Sequence, residues 1–247
     1  MLKATIQADI FRETIDAVSA LVNECRLHID ENGIRTITVD TSNVAMVSLE
    51  LSSAAFETYS ADSCEIGLDI DKIRTMMAMI GRGDIVALEL NDSGRKLNIS
   101  FGGYEYSITL IDTKTIRKDP NAPNLNLPAA FEISGAMFND GIKASGMVSD
   151  KIQLSVSEEN KVFTMNADGD SDRIRRELSG DDVRFITCAD VKSLFSLDYL
   201  KDMGKSISKA EKVQIRLGID HPVQFSFDYA GGNGKIGYLL APRIEAD

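Results

Sequence analysis

The stretch Lys114-Thr115-Ile116-Arg117-Lys118-Asp119-Pro120-Asn121-Ala122-Pro123-Asn124-Leu125-Asn126-Leu127-Pro128 stands at the midpoint of a 247-residue chain and holds three of its five prolines. Proline fixes φ and lacks a backbone donor, so this density predicts an extended, hydrogen-bond-poor connection. It divides the chain into an N-terminal domain over 1–113, a connecting loop over 114–128 and a C-terminal domain over 129–247. The halves repeat in outline: a strand and a helix, several strands, a second helix, then more strands. Duplication on this scale predicts two similar domains.

On either side of the loop the chain mostly alternates apolar and polar residues with period two, the mark of half-buried strands. Leu97–Phe101, Tyr104–Leu110, Val213–Ile219 and Val223–Tyr229 are the clearest runs. Turn signals separate them at Glu31-Asn32-Gly33, Asn91-Asp92-Ser93-Gly94, Gly102-Gly103 and Gly231-Gly232-Asn233-Gly234. Four segments switch to helical spacing. Phe11, Ile15, Val18 and Val22 mark the first, with Asp9 as its expected N-cap. Ile73, Met76, Met77 and Ile80 follow Asp71, and Gly81 is expected to close that helix. Phe138 and Ile142 mark a third; Val191, Leu194, Phe195 and Met203 mark a fourth, with Asp190 near its start.

A hydrophobic content of 43 % permits an ordinary core. No apolar run approaches the roughly 18 residues of a membrane helix. Met1–Ile10 lacks the basic-then-apolar pattern of a signal peptide, so a soluble, intracellular protein is expected. Cys25, Cys64 and Cys188 are widely spaced and form no C-x-x-C pair, so reduced structural thiols are expected, with neither zinc nor disulfides. Two histidines, His28 and His221, support no Ser-His-Asp or Cys-His constellation. Asp168-Gly169-Asp170-Ser171-Asp172 opens like a calcium loop, but Ser179 stands at the twelfth position where a bidentate acid is required. Gly231-Gly232-Asn233-Gly234-Lys235 resembles a phosphate loop without its first glycine, replaced by Tyr229, or its hydroxyl residue, replaced by Ile236. Catalysis, metals and cofactors are therefore not expected. The net charge of −11 argues against a nucleic-acid binder unless the acids lie away from the contact surface.

The ending Leu239-Leu240-Ala241-Pro242-Arg243-Ile244-Glu245, the stretch Val39-Asp40-Thr41-Ser42-Asn43-Val44-Ala45-Met46-Val47, the following Phe56-Glu57-Thr58-Tyr59 and the proline-rich crossover occur in this order at whole-chain scale. In these features the chain resembles the proliferating cell nuclear antigen family, the sliding clamps of archaea and eukaryotes, and more the archaeal branch. The resemblance implies an α+β chain of two similar clamp domains, antiparallel sheets outside and two helices each facing a hole. Three chains would close head to tail, hiding their edge strands. It implies a non-catalytic processivity factor that encircles duplex DNA without reading sequence. Its partners would be DNA polymerase, an ATP-driven clamp loader, flap endonuclease and DNA ligase, recruited through short peptides. A subunit of a heterotrimeric ring, or a relative devoted to damage signalling, remains an alternative.

Under that resemblance the helical segments 10–22, 71–82, 137–147 and 190–209 would face DNA. They hold nine basic residues, Arg12, Lys72, Arg74, Arg82, Lys143, Lys192, Lys201, Lys205 and Lys209, against seven acids, a net +2 that leaves −13 elsewhere. Relatives often carry more lysine on the first helix, whereas Arg12 stands with Glu13 and Asp16. Lys72, Arg74, Lys143, Lys201, Lys205 and Lys209 are thus the favoured contacts, unless they are merely solvated. The implied peptide pocket comprises Val39, Asn43, Val44, Met46, Leu125, Leu127, Pro128, Phe131, Pro222, Leu239, Leu240, Ala241, Pro242 and Ile244. Asn43 stands where some relatives have histidine. Leu125 and Leu127 either meet a partner or pack the loop onto the domain; Val44 and Met46 either line the pocket or belong to a core strand. The implied subunit contacts are Ser107, Ile108 and Leu110 on one edge, with Arg173, Ile174, Arg175, Arg176 and Leu178 on the other.

Overall fold

The computed structural model describes residues 1–90 and 95–244. The expected turn at 91–94 and the terminal Glu245 lie outside the described residues. In chain order the elements are β1 (Leu2–Gln7), α1 (Ala8–Ser19), β2 (Glu24–Asp30), β3 (Gly33–Val39), β4 (Ala45–Ser52), β5 (Thr58–Ala61), β6 (Cys64–Asp69), α2 (Ile70–Met77), β7 (Ile85–Leu90), β8 (Lys96–Phe101) and β9 (Tyr104–Thr109). After the loop come β10 (Ala129–Ile133), α3 (Gly135–Ser145), β11 (Lys151–Ser157), β12 (Val162–Asp168), β13 (Arg173–Leu178), β14 (Arg184–Thr187), β15 (Val191–Ser196), α4 (Leu197–Ile207), β16 (Val213–Leu217), β17 (Val223–Tyr229) and β18 (Gly234–Leu240). The second series repeats the first, element for element. α1 and α3 begin at 8 and 135, α2 and α4 at 70 and 197, an offset of 127 in both cases.

Two compact units result. The first comprises Met1–Thr41, Met46–Asn121 and Asp228–Ile236; the second comprises Ser42–Ala45, Ala122–Phe227 and 237–244. In the first, the strand order β5-β1-β7-β8-β9 is matched in the second by β14-β10-β16-β17-β18. Likewise β4-β3-β2-β6 is matched by β13-β12-β11-β15. The strand pairs of known register are antiparallel, as short hairpin connections allow. Gly102 and Gly103 both take positive φ in the β8–β9 turn, where a side chain would be strained.

The helices bury one face each. Phe11, Ile15 and Val18 of α1 and Ile70, Ile73, Met76 and Met77 of α2 enter the first core. Phe138 and Ile142 of α3 and Leu200, Met203 and Ile207 of α4 enter the second, where Phe138 stacks tilted on Phe225 at 5.1 Å. Asn139 is buried between α3 and α4. With its amide turned to suit its neighbours, it donates to Gly204 O at 3.3 Å and accepts from Lys143 Nζ at 3.2 Å.

Several boundaries differ from expectation, each for a local reason. Asp9 lies within the first turn of α1, because β1 runs directly into the helix at Gln7. Asp71 likewise lies inside α2, whose cap is Asp69, accepting from Lys72 N at 3.1 Å. Burial works against the Asp69 carboxylate, but the Lys72 amide and ammonium outweigh it and hold the pKa low. α2 ends at Met77, before Ile80 and Gly81, and the Arg12 guanidinium donates to Ile80 O at 2.9 Å and Met77 O at 3.4 Å. The expected helix from Asp190 is a strand up to Ser196. There Val191, Ser193 and Phe195 are buried in alternation, and the small Ser193 disguises the period of two. Asp190 instead accepts from Glu158 N at 2.9 Å.

The connecting loop is less bare than its prolines suggest. Ile111 N donates to Gly67 O at 3.0 Å. Arg26 donates to Ile116 O at 2.8 Å and Arg117 O at 3.0 Å, while His28 Nε2 meets Asp119 Oδ2 at 2.6 Å. The prolines follow these anchors. Cys25 is buried, which pushes its thiol up to about 12 against a smaller opposing effect of a Thr36 hydrogen bond.

At Gly135, the first residue of α3, an added Cβ would overlap the Ile207 carbonyl oxygen at the end of α4. Gly135→Ala should therefore force the helix pair apart and cost about 2 kcal/mol or more. Urea unfolding checks this; wild-type stability would mean that the approach is relaxed without loss.

Candidate functional site

The chain end and a neighbouring turn are held by one strand. β15 is the last strand of its sheet, so its outer carbonyls have no strand partner. Lys192 O accepts from Asp220 N at 3.3 Å and Leu194 O from Arg243 N at 2.7 Å. These carbonyls are two residues apart, about 7 Å along a strand, so the turn 218–222 and the tail 241–244 lie side by side. Ser193 Oγ donates to Gly218 O at 2.8 Å, and Ala241 N donates to Val44 O at 2.9 Å. The Arg243 guanidinium reaches Asp150 Oδ2 at 2.7 Å, and this bond holds the Asp150 carboxyl below its ordinary range.

Apolar groups gather on this frame. A Cβ at Gly218 would stand 3.2 Å from Leu127 Cδ2, so the bare glycine backbone forms the wall against which Leu127 packs. Val44, Leu125, Pro222, Leu239, Ala241 and Pro242 are half-buried; Asn43 and Pro128 are exposed. Asn43 takes φ 57° at the tip between β3 and β4, a left-handed conformation that asparagine tolerates. Ile244 is 82 % exposed. Ile219, which sequence reasoning placed only as the end of a strand run, is 60 % exposed in the same turn as Pro222. An apolar residue left in water beside a fixed apolar tail is a contact candidate.

Other expected pocket residues are displaced. Phe131 is fully buried among Phe163 and Phe185, with ring centroids 4.6 and 5.7 Å away, and Leu240 is fully buried too. Both face the core, as alternation along β10 and β18 requires, and can only support a pocket from beneath. Leu127 is also buried, so it packs the loop onto the second unit rather than waiting for a partner. Val39 and Met46 belong to the first unit, paired in register across β3 and β4. Val39 borders a cleft of about 610 Å³ there with Thr41, Thr115 and Arg117.

The basic residues also need sorting. Arg12, Lys72, Arg74, Lys143, Lys201 and Lys205 lie on helices, whereas Arg82 and Lys209 lie beyond the ends of α2 and α4. Lys192 is on β15, beside the turn 218–222, and not on a helix. The helices as formed also carry Asp9, Glu13, Asp16, Asp71, Asp140, Asp198 and Asp202. Six bases against seven acids give −1 in place of the expected +2. Arg12 is committed to carbonyls of the α2 end.

β9 and β13 each terminate a sheet. On β9, Ser107 is exposed and Ile108 buried, while Leu110 lies just past the strand and donates from its amide to Arg95 O at 2.9 Å. Tyr104 and Tyr106, not singled out in the sequence, are exposed on that edge. On β13, Arg173 and Arg175 are exposed and Leu178 is buried, so Ile108 and Leu178 serve their own cores. Ile174 is half-buried; Arg176 donates to Met137 O at 3.1 Å and Arg173 pairs with Asp168 at 3.0 Å. The Asp168–Asp172 stretch is accordingly the β12–β13 turn, closed by Gly169 N donating to Asp172 O at 2.8 Å.

Residues 1–117 match the N-terminal domain of proliferating cell nuclear antigen, and residues 123–243 match its C-terminal domain. The chain belongs to the proliferating cell nuclear antigen family. It is 81 % identical over 247 residues, the whole of both chains, to the DNA polymerase sliding clamp of Methanocorpusculum labreanum, and 59 % identical over the same span to that of Methanosphaerula palustris. In three dimensions it is similar to a structure of the C-terminal region of FEN-1 bound to A. fulgidus PCNA, with a TM-score of 0.93 and 34 % identity over all of both chains. The fold is also that of PCNA from Thermococcus kodakaraensis, 22 % identical, at a TM-score of 0.88 over 98 % of this chain and 100 % of that one.

The Asp150–Arg243 pair yields a pH test. Because the folded pKa of Asp150 is depressed, the pair stabilises the protein above the unfolded value of about 3.9, and that contribution is lost as pH falls through the folded value. In Arg243→Gln, NMR titration should show the Asp150 carboxyl returning to the ordinary range. An unchanged midpoint would mean that Arg243 is not its partner in solution.

Proposed function

We propose that the protein is a DNA sliding clamp, a non-catalytic ring subunit that encircles duplex DNA without reading its sequence. In this role it acts as the processivity factor of the replicative polymerase and as a docking platform for the clamp loader, flap endonuclease and DNA ligase. The observation that carries this reading is whole-length identity of 81 % to a protein named DNA polymerase sliding clamp. Domains over 1–113 and 129–247, joined by the 114–128 loop, would each supply a helix pair to the hole. The protein would work in the cytoplasm on the nucleoid; no helix among the described residues is long and apolar enough to cross a membrane.

Ring closure would use the edges β9 and β13. An unpaired edge is a liability in a lone subunit, and a head-to-tail contact repeated three times removes it. Tyr104, Tyr106, Ser107 and Leu110 on one side, and Arg173, Ile174, Arg175 and Arg176 on the other, would form the contact, with Ile108 and Leu178 behind them. Partner peptides would seat their aromatic and aliphatic side chains against Val44, Leu125, Ile219, Pro222, Leu239, Ala241, Pro242 and Ile244, with Asn43 and Pro128 at the margin. The complex of a clamp with the C-terminal region of FEN-1 supports this kind of docking in a relative.

Light scattering on the chromatographed protein, at moderate and high salt, should give three times the 27.0 kDa chain mass. A monomer at micromolar concentration in both salts would contradict a homotrimer. Ile219→Ser, at an exposed position, should leave the mass and melting temperature unchanged. It should weaken a flap-endonuclease C-terminal peptide by about tenfold or more, the loss expected from one buried aliphatic contact. Undiminished affinity by calorimetry would remove Ile219 from the site.

A further inference from the structure

Every basic residue on the four helices follows an aspartate by three positions: Asp9 and Arg12, Asp69 and Lys72, Asp71 and Arg74, Asp140 and Lys143, Asp198 and Lys201, Asp202 and Lys205. Five of these six pairs are in contact. Asp202–Lys205 stand at 2.8 Å, Asp69–Lys72 at 3.0 Å, Arg12–Asp9 at 3.7 Å, Lys201–Asp198 at 3.8 Å and Lys143–Asp140 at 4.0 Å. The arrangement holds in both units and on all four helices.

We infer that Asp140, Asp198 and Asp202 set the affinity of the second unit's helix pair for DNA, by holding its lysines in pairs that a phosphate must break. This rests on the reading that these helices face DNA. Three residues on a helix place side chains one turn apart, close enough to pair and, once parted, close enough for the acid to repel an incoming phosphate. The three acids are 65 %, 84 % and 55 % exposed, so the pairs remain in water, where such contacts are weak and easily exchanged. Each lysine is therefore available to phosphate, yet each exchange gains little. A lysine already neutralised within the chain also contributes less to the release of counterions that drives DNA affinity. A ring held on DNA by topology has no need of tight contacts, and a surface of exchangeable pairs lets it move.

The test compares four proteins, each confirmed by light scattering to keep the native assembly, on a short fluorescent linear duplex across a series of KCl concentrations. They are wild type, Asp140→Asn/Asp198→Asn/Asp202→Asn, Lys143→Gln/Lys201→Gln/Lys205→Gln, and a charge control, Glu159→Gln/Asp181→Asn/Asp182→Asn, whose exposed acids lie off the four α-helices. The helix-acid variant should bind about tenfold more tightly at low salt, with a steeper fall of log K against log salt. The lysine variant should bind more weakly, and the charge control should stay near wild type. Should the triple acid variant lose its assembly, Asp140→Asn alone must show the same direction. If the charge control gains as much as the helix-acid variant, net charge alone is responsible and the inference is wrong. If the lysine variant weakens while the acid variant matches wild type, the inference falls and the DNA-facing reading stands. If neither variant departs from wild type, both fall.

Discussion

The contact on which each unit depends is a backbone exchange between paired helices. The first amide of α1 donates to Asp84 O at 2.9 Å, in the segment after α2, and that of α2 donates to Asn23 O at 2.8 Å, in the segment after α1. The second unit repeats it: Gly135 N donates to Ala210 O at 3.2 Å past α4, and Leu197 N to Asp150 O at 2.9 Å past α3. Helix starts leave amides without internal partners, and here the antiparallel neighbour supplies the acceptor. α1, α3 and α4 have no side-chain cap and rely on this exchange, whereas α2 adds the Asp69 carboxylate to it. It also explains Gly135, where the approach leaves no room for a side chain.

That constraint links the helix pair of the second unit to its docking face. Asp150 gives its carbonyl to the first amide of α4 and its carboxylate to Arg243 in the tail. β15 leads into α4 while its outer carbonyls carry the tail and the turn with Ile219. Surfaces proposed for DNA and for partner peptides are thus anchored to consecutive elements.

Much of this was legible in the sequence where physical periods are strong. The strands β8, β9 and β17, the duplicated order and the midpoint loop all follow from alternation, turn residues and proline. The failures have local causes. β15 reads as helix because Ser193, though buried, is polar and short. Asp9 looks like a cap because the carbonyl acceptor of Asp84, supplied from elsewhere in the fold, leaves no trace in local sequence. Phe131 and Leu240 look like pocket residues until strand alternation turns them inward. Ile219 could have been suspected, since Gly218 and the Asp220-His221-Pro222 turn end the strand before it. The balance of charge changed sign because true helix ends exclude Lys192, Arg82 and Lys209.

The central claim is topological: the protein stays on DNA because it surrounds it. The most direct measurement loads the protein with a clamp loader and ATP onto a nicked circular plasmid, isolates the complex by gel filtration at high salt, and then cuts the circle with a restriction enzyme. The account predicts retention on the circle and release after the cut, as the ring slides off the new ends. Equal retention before and after linearisation would contradict it and point to ordinary contact binding.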